Sequence, residues 1–190
     1  MSDTSIDFSL YGPLRHLIGV WEGSKGDDTA PSDDRGTEKN LFRERIIFTP
    51  MSPVVNHEQI LYGLRYATTA WRLNDTEAFH EESGYWMWDS KEKQVLRCFI
   101  VPRGITVLAG GTVEADAKSF FLAADLGSPT YGICSNQFLD REFKTVRYEL
   151  NVSINQDGSF TYDEDTQIQM MGRKDLFHHR DKNTLRLVSA

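Results

Sequence analysis

The sequence predicts an all-β fold, a single antiparallel up-and-down β-barrel of about ten strands with a short N-terminal helix. Three observations predict it. Period-two alternation recurs along the chain, turn residues separate the alternating runs, and no βαβ rhythm interrupts them. Many sequential strands in one domain close on themselves, because closure removes exposed edges. A ring of that width cannot be filled by side chains alone, so an internal cavity for a small, largely apolar ligand is expected. A two-sheet sandwich with a dry core is the alternative reading of the same pattern.

The elements follow in order. Tyr11 to Gly19 reads as a short helix, with Pro13 in its first turn, Leu14, Leu17 and Ile18 as an apolar stripe and Gly19 as the stop. Val20-Trp21-Glu22-Gly23 starts a strand. Residues 26–40 are rich in Asp, Ser, Gly, Thr and Pro, and read as a long exposed acidic loop, an excursion from one domain spanning 1–190. Strands are expected near Phe42–Phe48, Gln59–Trp71, Phe79–Trp88, Gln94–Val101, Ile105–Val113 and Phe120–Ala124. The clearest runs from Thr145 to Ile154, where Val146, Tyr148, Leu150, Val152 and Ile154 alternate with polar residues. A Gln156-Asp157-Gly158 turn joins it to a second alternating run from Phe160 to Met170, which makes a hairpin.

Bulk properties exclude several functions. The 190 residues carry 39% hydrophobic, 12% aromatic and 26% charged residues, within the ordinary globular range. A formal charge of -7 argues against nucleic acid, which needs a clustered basic surface, and against an anionic membrane. Met1 to Leu10 holds two aspartates and no apolar run, unlike a secretory signal, and no stretch approaches the roughly 18 apolar residues of a membrane span. Cys98 and Cys134 are isolated, which fits a reducing cytoplasm and gives no support to a disulfide framework, a zinc site or covalent haem attachment.

There is no P-loop, GxGxxG, HExxH or nucleophile elbow, and the carboxylates are too scattered to pair. Five histidines remain. His16 reads as a solvated helix residue and His57 as structural, at a strand entry. His80 opens the aromatic-rich run Phe79-His80-Glu81-Glu82-Ser83-Gly84-Tyr85, where Gly84 signals a bulge that leaves the direction of His80 open. His178 and His179 are adjacent, so on a strand only one of them faces inward. Asp181 and Asn183 stand close enough in sequence to orient an imidazole. On the residues alone the pair also reads as the polar start of a final strand.

Taken together, these pieces resemble the nitrobindin family, haem-binding β-barrels similar to fatty-acid-binding proteins and lipocalins. Gly19-Val20-Trp21-Glu22-Gly23 is similar to the family's GxWxGxG signature, and Phe42-Arg43-Glu44-Arg45-Ile46 to its next strand. Phe79 to Tyr85 looks like its HxExGY segment, and Phe177-His178-His179-Arg180-Asp181 falls where it places the proximal histidine. The resemblance implies non-covalent haem b with His179 as the iron ligand, His178 as the fallback and His80 on the distal side. Lys39 joins these histidines in the set expected to contact the cofactor. It further implies nitric oxide binding or isomerisation of peroxynitrite to nitrate. Two departures stand out: Lys25 replaces the third glycine, with Gly26 one place late, and the 26–40 segment is long. The rival expectations are a non-haem carrier of a fatty-acid-like ligand and a protein interface built on the acidic loop. A homodimer is compatible with all three.

Overall fold

A computed structural model describes residues 6–189; half of the Met1–Leu10 segment lies outside the described residues. Twelve strands form one sheet: β1 (Gly19–Ala30), β2 (Glu38–Pro50), β3 (Val54–Asn56), β4 (Gln59–Arg72), β5 (His80–Asp89), β6 (Gln94–Val101), β7 (Ile105–Thr112), β8 (Ser119–Leu126), β9 (Gly132–Ser135), β10 (Phe143–Ile154), β11 (Phe160–Met170) and β12 (Phe177–Ser189). A 3-10 helix, Phe8–Leu17, precedes them and a short helix, α1 (Gln137–Glu142), leads into β10. The β1–β12 and β2–β4 pairings close the sheet into a barrel. With β3 and β9 set aside as short additions, the ring holds ten strands, sealed where Gly110 of β7 meets Ala123 of β8. All ring pairings are antiparallel; the departure is β9, which runs parallel to β8.

Turn chemistry and apolar patterning account for most boundaries. The N-terminal helix kinks at Gly12, whose φ of 55° suits glycine, and a Cβ there would meet the Trp88 ring at 2.5 Å. Beyond that kink Leu14 and Leu17 are fully buried and cap one end of the barrel, where the Trp21 indole donates to the Leu17 carbonyl at 2.7 Å. Phe48, Trp86, Val95, Leu122, Leu150, Val152, Phe160 and Leu185 complete a continuous apolar core around that end.

Several expectations change. Residues 26–40 do not form an open loop, because β1 continues to Ala30 and β2 begins at Glu38, leaving only a short turn. That turn docks on the barrel's rim. Arg35 donates to Glu142 at 2.8 Å and to the Met171 carbonyl at 3.0 Å, and Arg173 returns a bond to the Arg35 carbonyl. Gly84 makes no bulge: β5 pairs with both neighbours in unbroken register, and the glycine is there because a Cβ would lie 1.9 Å from the Cys98 carbonyl oxygen. A bulge does lie in β1, where two residues between Gly23 and Gly26 oppose the single Arg43, and another shifts the register of β10 between Thr145 and Arg147, so that Thr145 and not Val146 lines the cavity. His16 is half-buried, and its Nε2 is shielded from solvent without a hydrogen-bond partner among the described residues. His57 is exposed with a φ of 53°, in the turn joining β3 to β4.

Candidate ligand cavity

The barrel encloses a cavity of about 560 Å³, within the ordinary range for small-molecule sites. Alternation decides what lines it. On β2, Glu38, Phe42, Glu44, Ile46 and Phe48 face in; on β5 the inward set is His80, Glu82 and Trp86. The bulge in β1 shifts parity by one, so Trp21 points inward before it while Asp28 and Ala30 do so after it. Gly26 takes an inward slot, where a Cβ would strike the Phe42 ring at 2.4 Å. The late glycine is thus the expected one, displaced by the extra residue.

The cavity is layered. Its floor is apolar, made by Leu17, Ile46, Phe48, Val107, Leu150, Val152 and Phe160. Midway sits a buried ionic network. Arg97, 7% exposed, binds Glu164 at 2.8 Å, and also Glu82 and the Tyr148 hydroxyl. Tyr66 donates to Glu82 at 2.9 Å and Tyr148 to Glu164 at 2.6 Å. Burial alone would raise the Glu82 carboxyl, but the Arg97 and His80 charges outweigh it and hold Glu82 below the usual carboxylate range. Glu44 has no paired cation among the described residues, and the His80 charge offsets little of its burial. Burial pushes it up to about 7, although Asn183 and Tyr162 donate to its Oε2 at 3.1 and 3.0 Å. Asp181 is pushed up too, by burial and by the neighbouring Glu164 and Glu44.

Nearer the mouth come the histidines. His179 lies on β12 with its side chain 34% accessible and lines the cavity, with Nε2 2.9 Å from Asp28 Oδ1. His178 points the other way, 44% accessible, and pairs with Asp165 at 2.7 Å. The adjacent pair therefore divides as alternation requires, and His179 is the inward one. His80 also lines the cavity, 3.8 Å from Glu82. Burial lowers its basicity, but the hydrogen bond and charge of Glu82 more than offset this, so its pKa is raised. Strands β12 and β5 stand four steps apart around the ring of ten, so the two imidazoles come from nearly opposite walls.

Two expectations on site residues fail. Lys39 is exposed and absent from the cavity wall, because its odd position on β2 is out of phase with the inward Glu38 and Phe42. Asp181 and Asn183 do not hold His179; Asn183 serves Glu44, and Asp28 on the neighbouring strand holds the imidazole. Sequence reasoning does not pick out Asp28, Glu44, Arg97 and Glu164, all of which line the cavity. Parity with His80 alone would have placed Glu82 on the inner face. Among the described residues no cluster of three His, Cys, Asp or Glu side chains could hold a metal ion by itself.

The family model described as "THAP4-like, heme-binding beta-barrel domain" matches residues 10–186. The chain belongs to that family. This is the nitrobindin family that the motifs resemble. A curated peroxynitrite isomerase of Leifsonia xyli subsp. xyli is 44% identical over 75 residues, or 39% of this chain and 33% of that protein. The chain thus spans about a third of the length of that relative. The crystal structure of Rv2717c from M. tuberculosis superposes with a TM-score of 0.65 at 20% identity, covering 92% of this chain and 96% of that one. That likeness shows a shared barrel.

The cavity residues fit a haem. Two imidazoles, His179 and His80, line the cavity, apolar side chains such as Phe99, Val101, Ile105, Phe143 and Ile168 supply walls, and Arg72 and Arg103 stand at the rim. Arg72 lies over the Phe79 ring at 5.0 Å and Arg103 over Phe143 at 5.7 Å.

Proposed function

We propose that this barrel binds haem b non-covalently through His179, with His80 on the opposite wall, in the ferric state. The observation that carries this reading is the division of the C-terminal pair: His179 lines a cavity of suitable size, and His178 does not. Burial of a macrocycle against the apolar walls supplies several kcal/mol at roughly 25 cal/mol per Å². Arg72 and Arg103 suit carboxylate groups at the rim, and guanidinium groups pair with carboxylates in two-pronged fashion. The carboxylates below them favour a centre of positive charge, which suits ferric iron. With one side open, such a haem binds nitric oxide or isomerises peroxynitrite to nitrate, the activity named for the Leifsonia relative. Cys98 and Cys134, both free, suit a reducing cytoplasm.

The rival carrier of an anionic lipid is disfavoured. Arg97, the cation of the middle layer, is already bound by Glu82 and Glu164, and the surplus there is acidic.

Hemin titration followed by absorption spectroscopy tests the reading. Wild type and His178→Ala should give the same ligand band, and His179→Ala should lose it. A band unchanged in His179→Ala would end the proposal.

A further inference from the structure

Glu44 differs from the other acidic side chains of the cavity in how its two oxygens are engaged. Its Oε2 receives two donors, the Tyr162 hydroxyl at 3.0 Å and the Asn183 amide at 3.1 Å. The amide is fixed, because its oxygen accepts from the Thr184 backbone N–H at 2.9 Å and only its nitrogen is left to face Glu44. The other oxygen, Oε1, has no hydrogen-bond partner among the described residues and is not sealed off, and Glu44 lines the cavity. A side chain only 6% exposed thus turns an unpaired oxygen toward the hollow, where buried polar atoms ordinarily find partners.

This oxygen lies at a boundary. Toward the closed end the next inward residues are Ile46 on β2, Phe160 on β11 and Leu185 on β12, all part of the apolar core. The charged side chains that share the space are His80 and Glu82 from β5, Glu164 from β11, Asp181 from β12, Asp28 from β1 and Arg97 from β6. Arg97 is engaged by Glu82 and Glu164. The free oxygen therefore meets an apolar compartment on one side and a mainly acidic one on the other. That layout suits a ligand with an apolar tail and a cationic head rich in donors. An ammonium brings three N–H donors and a positive charge, whereas a carboxylate head brings only acceptors. Burial keeps a proton on Glu44 up to about pH 7, and an arriving cation favours the ionised carboxyl and displaces that proton.

We propose that the haem-free cavity binds a primary alkylammonium, its tail on the apolar floor and its head on Glu44 Oε1, with release of the Glu44 proton. Neither this ligand nor haem requires the other, so the amine test and the hemin titration fail independently.

Isothermal titration calorimetry of haem-free protein with octylammonium, in two buffers of different ionisation heat, reads affinity and proton release together. The amine stays charged throughout, with an ammonium pKa of about 10. Wild type should bind it and release about half a proton per ligand at pH 7, where Glu44 is half protonated. Affinity should fall about fivefold on going to pH 6, as the proton competes harder. Octanol, which has the same tail without the charge, should bind about tenfold more weakly, and octanoate more weakly still. Glu44→Gln removes the carboxylate at nearly constant size. It should bring octylammonium down to the affinity of octanol and abolish the proton release, with a thermal melt to check the fold. Octylammonium uptake without proton release, or equal in wild type and Glu44→Gln, would overturn the proposal, since attraction to the net charge of -7 gives the same result. So would octanol binding as tightly as octylammonium, or no uptake at all by wild type. Proton release is read on wild type alone, so it decides the matter whether or not the variant folds.

Discussion

The two ends of this barrel are built from opposite materials. At the closed end the N-terminal helix presses Leu14 and Leu17 onto Trp21, Phe48 and Phe160 in a dry core. Toward the open end the inner wall carries Asp28, Glu38, Glu44, Glu82, Glu164 and Asp181 against Arg72, Arg97, Arg103 and two histidines. One sheet supplies both, so the contrast arises from side chains alone. The closed end stabilises the fold by burial, whereas the open end spends stability to keep charged groups out of bulk water.

Variants can break that contrast. The largest effect should come from Arg97→Met, which leaves Glu82 and Glu164 buried without their cation. Breaking such a pair costs about 3–5 kcal/mol, to be read by urea unfolding at neutral pH. Leu14→Ala at the dry end should cost about 3 kcal/mol, mostly as a cavity under the helix. Its loss should show no pH dependence, whereas that of Arg97→Met should shrink in acid as Glu82 protonates.

Glu44 sharpens the contrast with the opposite sign. Its carboxyl titrates at about 7 when folded and near 4.5 when unfolded, so the folded state holds the proton more tightly. That stabilisation is complete below about pH 4.5 and disappears as pH rises through 7. At about pH 8 Glu44→Gln should therefore stabilise the protein by about 2–3 kcal/mol, seen as a raised melting temperature, and by little at pH 5. A variant less stable than wild type at pH 8 would show that Glu44 has a compensating partner. The smallest effect belongs to the outer wall. His178→Ala should change stability by less than about 0.5 kcal/mol, by the same unfolding assay.

Legibility in the sequence follows the same division. The β10–β11 hairpin was readable because its inward residues, from Tyr148 to Val152 and from Phe160 to Tyr162, are apolar or aromatic and strictly alternate. Strand β6 was also found to the residue, although Arg97 interrupts its otherwise apolar inner face. The site was harder, because a polar interior reverses the signal on which period-two reading depends. Glu164 stands in phase with Tyr162 and Thr166 yet carries the wrong polarity for an inner face. The rim segment reads as a loop because Asp, Ser and Gly are turn formers by composition, and only pairing with β2 and β12 makes 26–30 a strand. His179 was legible through adjacency to His178, since neighbours on a strand must part. Asp28 was not, because its contact to His179 spans 151 positions of chain.

The doubled step at Ser24 and Lys25 bears on how the cavity wall is inherited. An added residue in a strand ordinarily turns everything beyond it inside out, yet here the kink swallows the addition and Gly26 and Asp28 keep their seats. Removing Lys25 should straighten the ribbon and leave the same side chains facing the hollow. Forcing the pairing straight with Lys25 retained would seat Asp27 and Thr29 there instead, and His179 would lose its anchor.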